Sequence, residues 1–455
     1  MNSLCGKWLA ATFIHAPARA RIEIAHDALI HVDNNGTIAN IVRADDAQHA
    51  ATQETAERDG TLASLPPGTV LLPGFVDLHI HAPQWPQLGK ALDVPLEVWL
   101  QQYTFPLEAR YSDLAFAKQV YTDMVGSLLA EGTTTAVYFA TIHDPSSRAL
   151  ADICLERGQR AFVGKLVMDN PDECPDYYRD ESTEQALVES AEFVEYVRAL
   201  PGNADALVQP IITPRFIPSC TDKALSGLGE LAADTGCHIQ THCSESDWQH
   251  QYVIDRLGKT DTDALMDFGL IGRHTVLAHS NFLTDANMDT LREAGAGVAH
   301  CPLSNIYFSN AVFPLRRALE KSVRVGLGTD ISGGPSASIL DAARHAIHSS
   351  RLLEEGVNPD TPRDERRYEN QRIDFREAFY LATTGGADVL DLPVGRFEVG
   401  CHFDALCIDP TATGSPINYD PQLDSDDDFL QKLISLAKRA NIHTVWTQGS
   451  VAKSP

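Results

Sequence analysis

Basic residues are scarce in this chain. Lysine and arginine number 36 against 62 aspartates and glutamates, so 455 residues carry a formal net charge of −26. A surface of that sign argues against a nucleic-acid backbone or an anionic membrane as the main partner. Long apolar runs are missing too, since no stretch reaches the roughly 20 residues of a membrane span. Trp8-Leu9-Ala10-Ala11 and Phe13-Ile14 resemble the apolar part of a leader, but His15 and Pro17 interrupt it and only Lys7 precedes it as a basic residue. That segment reads as an edge strand instead. Nine cysteines include no Cys-x-x-Cys pair, which fits free thiols in a reducing, cytoplasmic compartment. Internal repeats and low-complexity tracts are absent.

What the chain does have is apolar mass. At 44% hydrophobic it can bury a sizeable core, and its length suits one large domain with an addition. Residues 1 to about 72 read as short strands with polar turns, such as Arg21 to Ile24 and Ala28 to Val32, with a strong turn signal at Asn34-Asn35-Gly36. The polar stretch Ala44 to Gly60 reads as a loop. Eight apolar, strand-like runs follow: Leu71–Leu78, Thr133–Ala140, Ala161–Met168, Ala206–Thr213, His238–His242, Thr275–Ala278, Gly297–His300 and Val323–Gly328. Amphipathic stretches separate them, such as Leu187, Phe193, Val194, Val197 and Leu200. Eight such alternations predict an α/β fold, a (β/α)8 barrel. An open doubly wound sheet is the rival, but no Gly-x-Gly-x-x-Gly follows the first run. After about Thr384 strands return at Phe397–Gly400, Ala405–Ile408 and Thr444–Trp446. The expected organisation is a barrel over 73–383 and a small β-domain built from 1–72 and 384–455. Asp424 to Asp428 reads as a solvated acidic loop.

In such barrels chemistry sits where strands end. His79 and His81 close the first run, two apart on a strand and so on one face. With 17 histidines, about 0.6 His-x-His pairs arise by chance, so the pair alone is weak. However, His242 ends the fifth run with Glu245 three residues on, His279 ends the sixth, and Asp330 ends the eighth beside strand one of a closed barrel. Three imidazoles and a carboxylate suit one Zn²⁺ per chain, with Fe²⁺ the alternative. Such an ion lowers the pKa of its water to about 7, and Glu245 is placed to move a proton while His279 orients the nucleophile. The strand-four end, Thr213-Pro214-Arg215-Phe216, has no lysine to bridge a second metal. His238 reads as barrel filling, Lys165 as structural, and His143 and His300 as supporting groups. The rival deaminase signature, His-x-Glu with Pro-Cys-x-x-Cys, is not here.

These stretches resemble the amidohydrolase superfamily, and within it the enzymes that deaminate guanine. The resemblance rests on Pro73 to His81, Gly132 to Thr135, Tyr138 to His143, Arg160 to Lys165, Thr213 to Phe216, His300-Cys301-Pro302 and Gly326 to Asp330. It implies zinc held by His79, His81, His242 and Asp330, with Glu245, His279 and Asp330 as catalytic groups. It further implies a small purine substrate met by Gln84, Arg215 and Phe216, with Trp85 in the same pocket wall, and a homodimeric assembly. The rivals are a ring deaminase or chlorohydrolase acting on triazines or pterins, and a non-catalytic scaffold. An intact ligand set speaks against the last.

Overall fold

The structure, a computed structural model, describes residues 3–309 and 311–453. Eight parallel strands follow one another around a barrel. They are Phe75–His81, Thr133–Phe139, Arg160–Gly164, Val208–Pro214, His238–Cys243, Thr275–His279, Gly297–His300 and Arg324–Leu327. Helices cross between them, for example Leu114–Ala130, whose first turn is capped by the Asp113 carboxylate, and Thr183–Arg198. The barrel interior is solid: Val76, Leu78, Val137, Phe162, Ile211, Val276 and Ala299 form one buried cluster. His238 sits at the opposite end from the strand-end histidines. Its ring meets Phe162 edge-on at 4.7 Å and its Nε2 donates to the Leu390 carbonyl, so it fills the barrel base.

Closure between the eighth strand and the first falls to the residues just past strand eight. Asp330 N–H donates to the His79 carbonyl at 2.9 Å and His81 N–H to the Ile331 carbonyl at 3.0 Å. Gly328 allows this approach, because a Cβ there would lie 2.9 Å from the His79 Cβ. The seam therefore sets Asp330 against the His79/His81 pair.

A second sheet combines both ends of the chain. Its order is Ser450–Lys453, Ile442–Thr447, Ala405–Ile408, Val70–Pro73, Lys7–Ala18, Arg21–Val32 and Ile38–Val42, with Leu62–Ser64 also pairing with Lys7–Ala18. A buried ion pair joins the two sheets: Arg160, at the base of barrel strand three, donates to Asp404 at 3.1 and 3.3 Å.

Several sequence expectations need correction. The apolar run Leu71–Leu78 is two strands in two sheets, broken at Gly74. A Cβ at Gly74 would lie 2.1 Å from the Thr134 hydroxyl, so the chain changes sheet where no side chain fits. The expected edge strand at the N-terminus lies inside its sheet, paired on both sides. Arg21 to Val32 is one long strand, and the Asn34-Asn35-Gly36 turn joins it to Ile38–Val42. His49–Arg58, expected as loop, is a helix with little buried surface. Phe397–Gly400 forms no strand. Asp426–Asp428 opens the helix Asp426–Leu436, where three carboxylates face the positive end of the helix dipole.

Candidate active site

The strand ends converge as the barrel geometry requires. His79, His81, His242, Glu245, His279 and Asp330 are all buried. Ligand atoms of His79, His242 and His279, of His79, His81 and Asp330, and of Glu245, His279 and Asp330 form three overlapping groups, each within 4.8 Å. His79 Nε2 stands 3.2 Å from the Asp330 carboxylate, and His81 Nε2 stands 2.9 Å from His242 Nε2. Burial, then neighbouring imidazoles, hold His79, His81 and His242 well below the usual imidazole range. Neutral imidazoles are what a metal requires. Two nitrogens this close in a buried pocket, with His79 Nε2 and His279 Nε2 free of any hydrogen bond, fit a shared cation better than a dry core. The cluster can hold a divalent metal ion.

Outer contacts orient the rings. His242 Nδ1 donates to the Arg215 backbone carbonyl at 2.5 Å and His279 Nδ1 to the Asn305 side-chain oxygen Oδ1 at 2.9 Å. Both Nε2 atoms are thereby turned inward as acceptors. The Asn305 amide in turn donates to Asn281, which donates to the Glu245 carbonyl. His79, His81 and His242 each lie 4.8 Å from the Phe139 ring, an apolar floor. Asp77, buried two residues before His79 on the same strand, accepts from the Thr329 hydroxyl at 2.6 Å and from the backbone of Thr329 and His79. It locks the Asp330 loop to strand one, and burial pushes its own carboxyl up to about 7. Burial, then Asp330, raises the Glu245 carboxyl well above the usual range. His279 Nε2 faces both carboxylates, 3.7 Å from Glu245 and 3.8 Å from Asp330. The backbone is strained here: His279, Asp330 and Ser244 have φ of 68°, 50° and 45°. Each such residue costs of order 1–3 kcal/mol, and surrounding bonds must hold it.

A cavity opens above this cluster, lined by the polar groups of His81, Gln84, Arg215, Glu245 and Asp330 and by the apolar side chains of Leu96, Trp99, Leu100, Phe216 and Phe308. Gln84 leaves the turn after strand one, and Arg215 and Phe216 leave the end of strand four. Trp85 is a correction. Its indole N–H donates to Asp123 on the outer helix at 2.8 Å, and the ring packs on that helix layer, away from the cavity. Adjacent residues in a tight helical turn point about 120° apart, so Gln84 and Trp85 cannot share a wall. Lys165 pairs with Asp180 and Glu189, and His300 packs against Phe313 with the rings tilted, consistent with structural roles.

Sequence reasoning missed Glu108. It is fully buried and receives both guanidinium nitrogens of Arg215, at 2.6 and 3.1 Å. It lies in the helical segment 96–112, where a wide turn, Leu100–Thr104, comes just before Pro106. Proline removes a helical donor, and the widened turn accommodates the loss. The same segment supplies Leu96, Trp99 and Leu100. Nothing in its residue spacing marks it.

With this geometry in view, the relatives are informative. A match to the amidohydrolase family spans residues 70–452. The chain belongs to the amidohydrolase family. Among relatives of this amidohydrolase, the guanine deaminase of Dictyostelium discoideum is 36% identical over 98% of this chain and 98% of its own length. The guanine deaminase of Homo sapiens is 38% identical over 96% of this chain and 94% of its own length. The crystal structure of guanine deaminase from C. acetobutylicum with bound guanine in the active site superposes with a TM-score of 0.86, at 28% identity, over 98% of this chain and 99% of that one. The amidohydrolase described here is therefore a hydrolytic enzyme on the family's barrel. No helix among the described residues is long and apolar enough to cross a membrane.

Proposed function

We propose that this amidohydrolase is a guanine deaminase, converting guanine and water to xanthine and ammonia. The observation that carries the reading is one cavity that holds a metal-competent imidazole–carboxylate cluster, the carboxylate Glu245 and the donor Arg215 together. Full-length similarity to guanine deaminases supports it. His79, His81, His242 and Asp330 would hold one zinc ion. When bound, such an ion lowers the pKa of water to about 7 and so supplies hydroxide at neutral pH.

The chain's own groups do the rest. Glu245 takes a proton from the attacking water and passes it to the ring nitrogen beside C2. His279 orients the nucleophile through Nε2, and Asp330 accepts its remaining proton. The bond from C2 to the exocyclic amine then breaks, and the amine leaves as ammonia with that proton. Phe216 stacks on the purine, Arg215 donates to its carbonyl oxygen, and Gln84 both donates and accepts. Adenine carries an amine where guanine has the carbonyl, so it would set donor against donor.

We further propose a cytoplasmic homodimer. Nine unpaired cysteines support a reducing compartment. Exposed Leu352, Val357 and Tyr368, close together at the end of one helix, support a face that a second copy covers. The deciding experiment is ammonia release from guanine, adenine, cytosine and pterin and chloride release from a chlorotriazine, with elemental analysis of the same sample. Guanine should lead by a wide margin with about one zinc per chain. Equal turnover of adenine, or turnover of pterin or triazine above guanine, would overturn the substrate. Two tightly held ions per chain would overturn the single-metal site.

A further inference from the structure

Glu108 does not line the cavity, yet it holds two polar groups that do, Arg215 and Gln84. Its two oxygens accept from Arg215 Nη1 and Nη2, and Oε1 also accepts from Gln84 Nε2 at 2.9 Å. On its other side, the Gln84 amide oxygen accepts from Ser332 N–H at 3.1 Å. That oxygen also accepts from the Ser332 hydroxyl at 3.5 Å, so the Gln84 amide is pinned at both ends with one N–H unspent. Arg215 spends two of five N–H groups on Glu108, and its guanidinium lies 5.0 Å over the Phe105 ring. Glu108, Arg215 and Gln84 are all at least 98% buried, so water does not screen the guanidinium charge, and Glu108 is the carboxylate paired directly with it.

We propose that Glu108 is the positioning residue that sets purine specificity: it fixes Arg215 and Gln84 in register and cancels the arginine's charge, so that the cavity selects a neutral oxopurine over an anionic one. The proposal rests on the guanine deaminase reading. A neutral carbonyl gains a hydrogen bond from an Arg215 already paired with Glu108. An anion gains no net attraction from that pair and still loses its hydration. Without the Glu108 charge, Arg215 loses its directly paired carboxylate and the preference shifts toward anions.

The test compares direct binding of hypoxanthine, a neutral 6-oxopurine without the amine, and urate, an anionic oxopurine at neutral pH. Calorimetry is run on wild type, Glu108→Gln and Glu108→Asp at matched metal content. In Glu108→Gln the hypoxanthine-to-urate affinity ratio should fall roughly tenfold or more, the scale of one charge-assisted hydrogen bond, and the guanine KM should rise more than kcat falls. Glu108→Asp keeps the charge but shortens the reach, so it should raise KM and leave the ratio near wild type. A ratio unchanged in Glu108→Gln would overturn the proposal, because a merely structural residue weakens both ligands in parallel. If Glu108→Gln does not fold, the comparison moves to Arg215→Met with and without Glu108→Gln. The double variant should bind urate roughly tenfold better, since the single leaves an unpaired carboxylate beside the ligand. Equal urate affinity would overturn the proposal in that arm. A wild type that releases no ammonia from guanine removes the deaminase reading instead, and the binding ratios still report on Glu108.

Discussion

Two buried arginine–carboxylate pairs sit at opposite ends of one barrel. Arg160 and Asp404 meet at the base, at 3.1 and 3.3 Å, and Arg215 and Glu108 meet at the mouth, at 2.6 and 3.1 Å. Ionic chemistry and burial are alike, but the surroundings differ. At the base, Asp404 also accepts the Gln448 N–H at 2.7 Å, and the pair stitches the barrel to the second sheet. At the mouth, Arg215 borders a cavity with donors unspent. Left-handed, non-glycine backbone at His279 and Asp330 also gathers at the mouth. A buried ion pair by itself therefore says little about function. What matters is whether its remaining hydrogen-bond capacity faces protein or open space.

The largest expected effect lies at the mouth. Glu245→Gln keeps shape but cannot shuttle a proton, so kcat should fall by about 10²–10⁴-fold. Metal content and thermal midpoint should stay at wild-type levels, because the amide still fills the site. Near-normal turnover in steady-state assays would mean Glu245 has another role. Next come the two pairs themselves. Arg160→Met and Arg215→Met each strand a buried carboxylate and should each lower unfolding stability by about 3–5 kcal/mol. Only Arg215→Met should also raise the guanine KM, since a buried carbonyl without its donor costs roughly 1–3 kcal/mol in binding. Denaturant unfolding and guanine kinetics on both variants separate the ends. A KM shift in Arg160→Met would break the comparison.

The same contrast explains how much could be read from sequence. The strand-end groups were legible because position along a strand carries direction: His79, His81, His242, His279 and Asp330 each close an apolar run, and barrel topology brings such ends together. The eight-strand count was legible for the same reason. Gly74 was not, because apolar residues flank it on both sides and hydropathy does not record a change of sheet. Asp424 to Asp428 reads equally well as a loop or as a dipole-favouring first turn, and only the apolar face that follows decides. Glu108 was hidden for a different reason. Its partners lie 24 and 107 residues away, so no local period or motif announces a carboxylate that acts through tertiary contacts.

Trp85 marks the lower limit of such readings and gives the smallest expected effect. It follows Gln84 directly, and adjacency suggested a shared pocket wall. Instead its ring lies on the outer helix layer, and its one hydrogen bond, to Asp123, is exposed to solvent. Trp85→Phe keeps most of the packing and removes that bond, so stability should drop by no more than about 1 kcal/mol. Guanine KM and the discrimination against adenine should stay at wild-type values, because the change is made on the far side of the turn that carries Gln84. A several-fold rise in KM would mean the turn Ala82–Gln87 transmits the orientation of Trp85 to Gln84, and the mouth would then extend one layer further out than its lining side chains suggest.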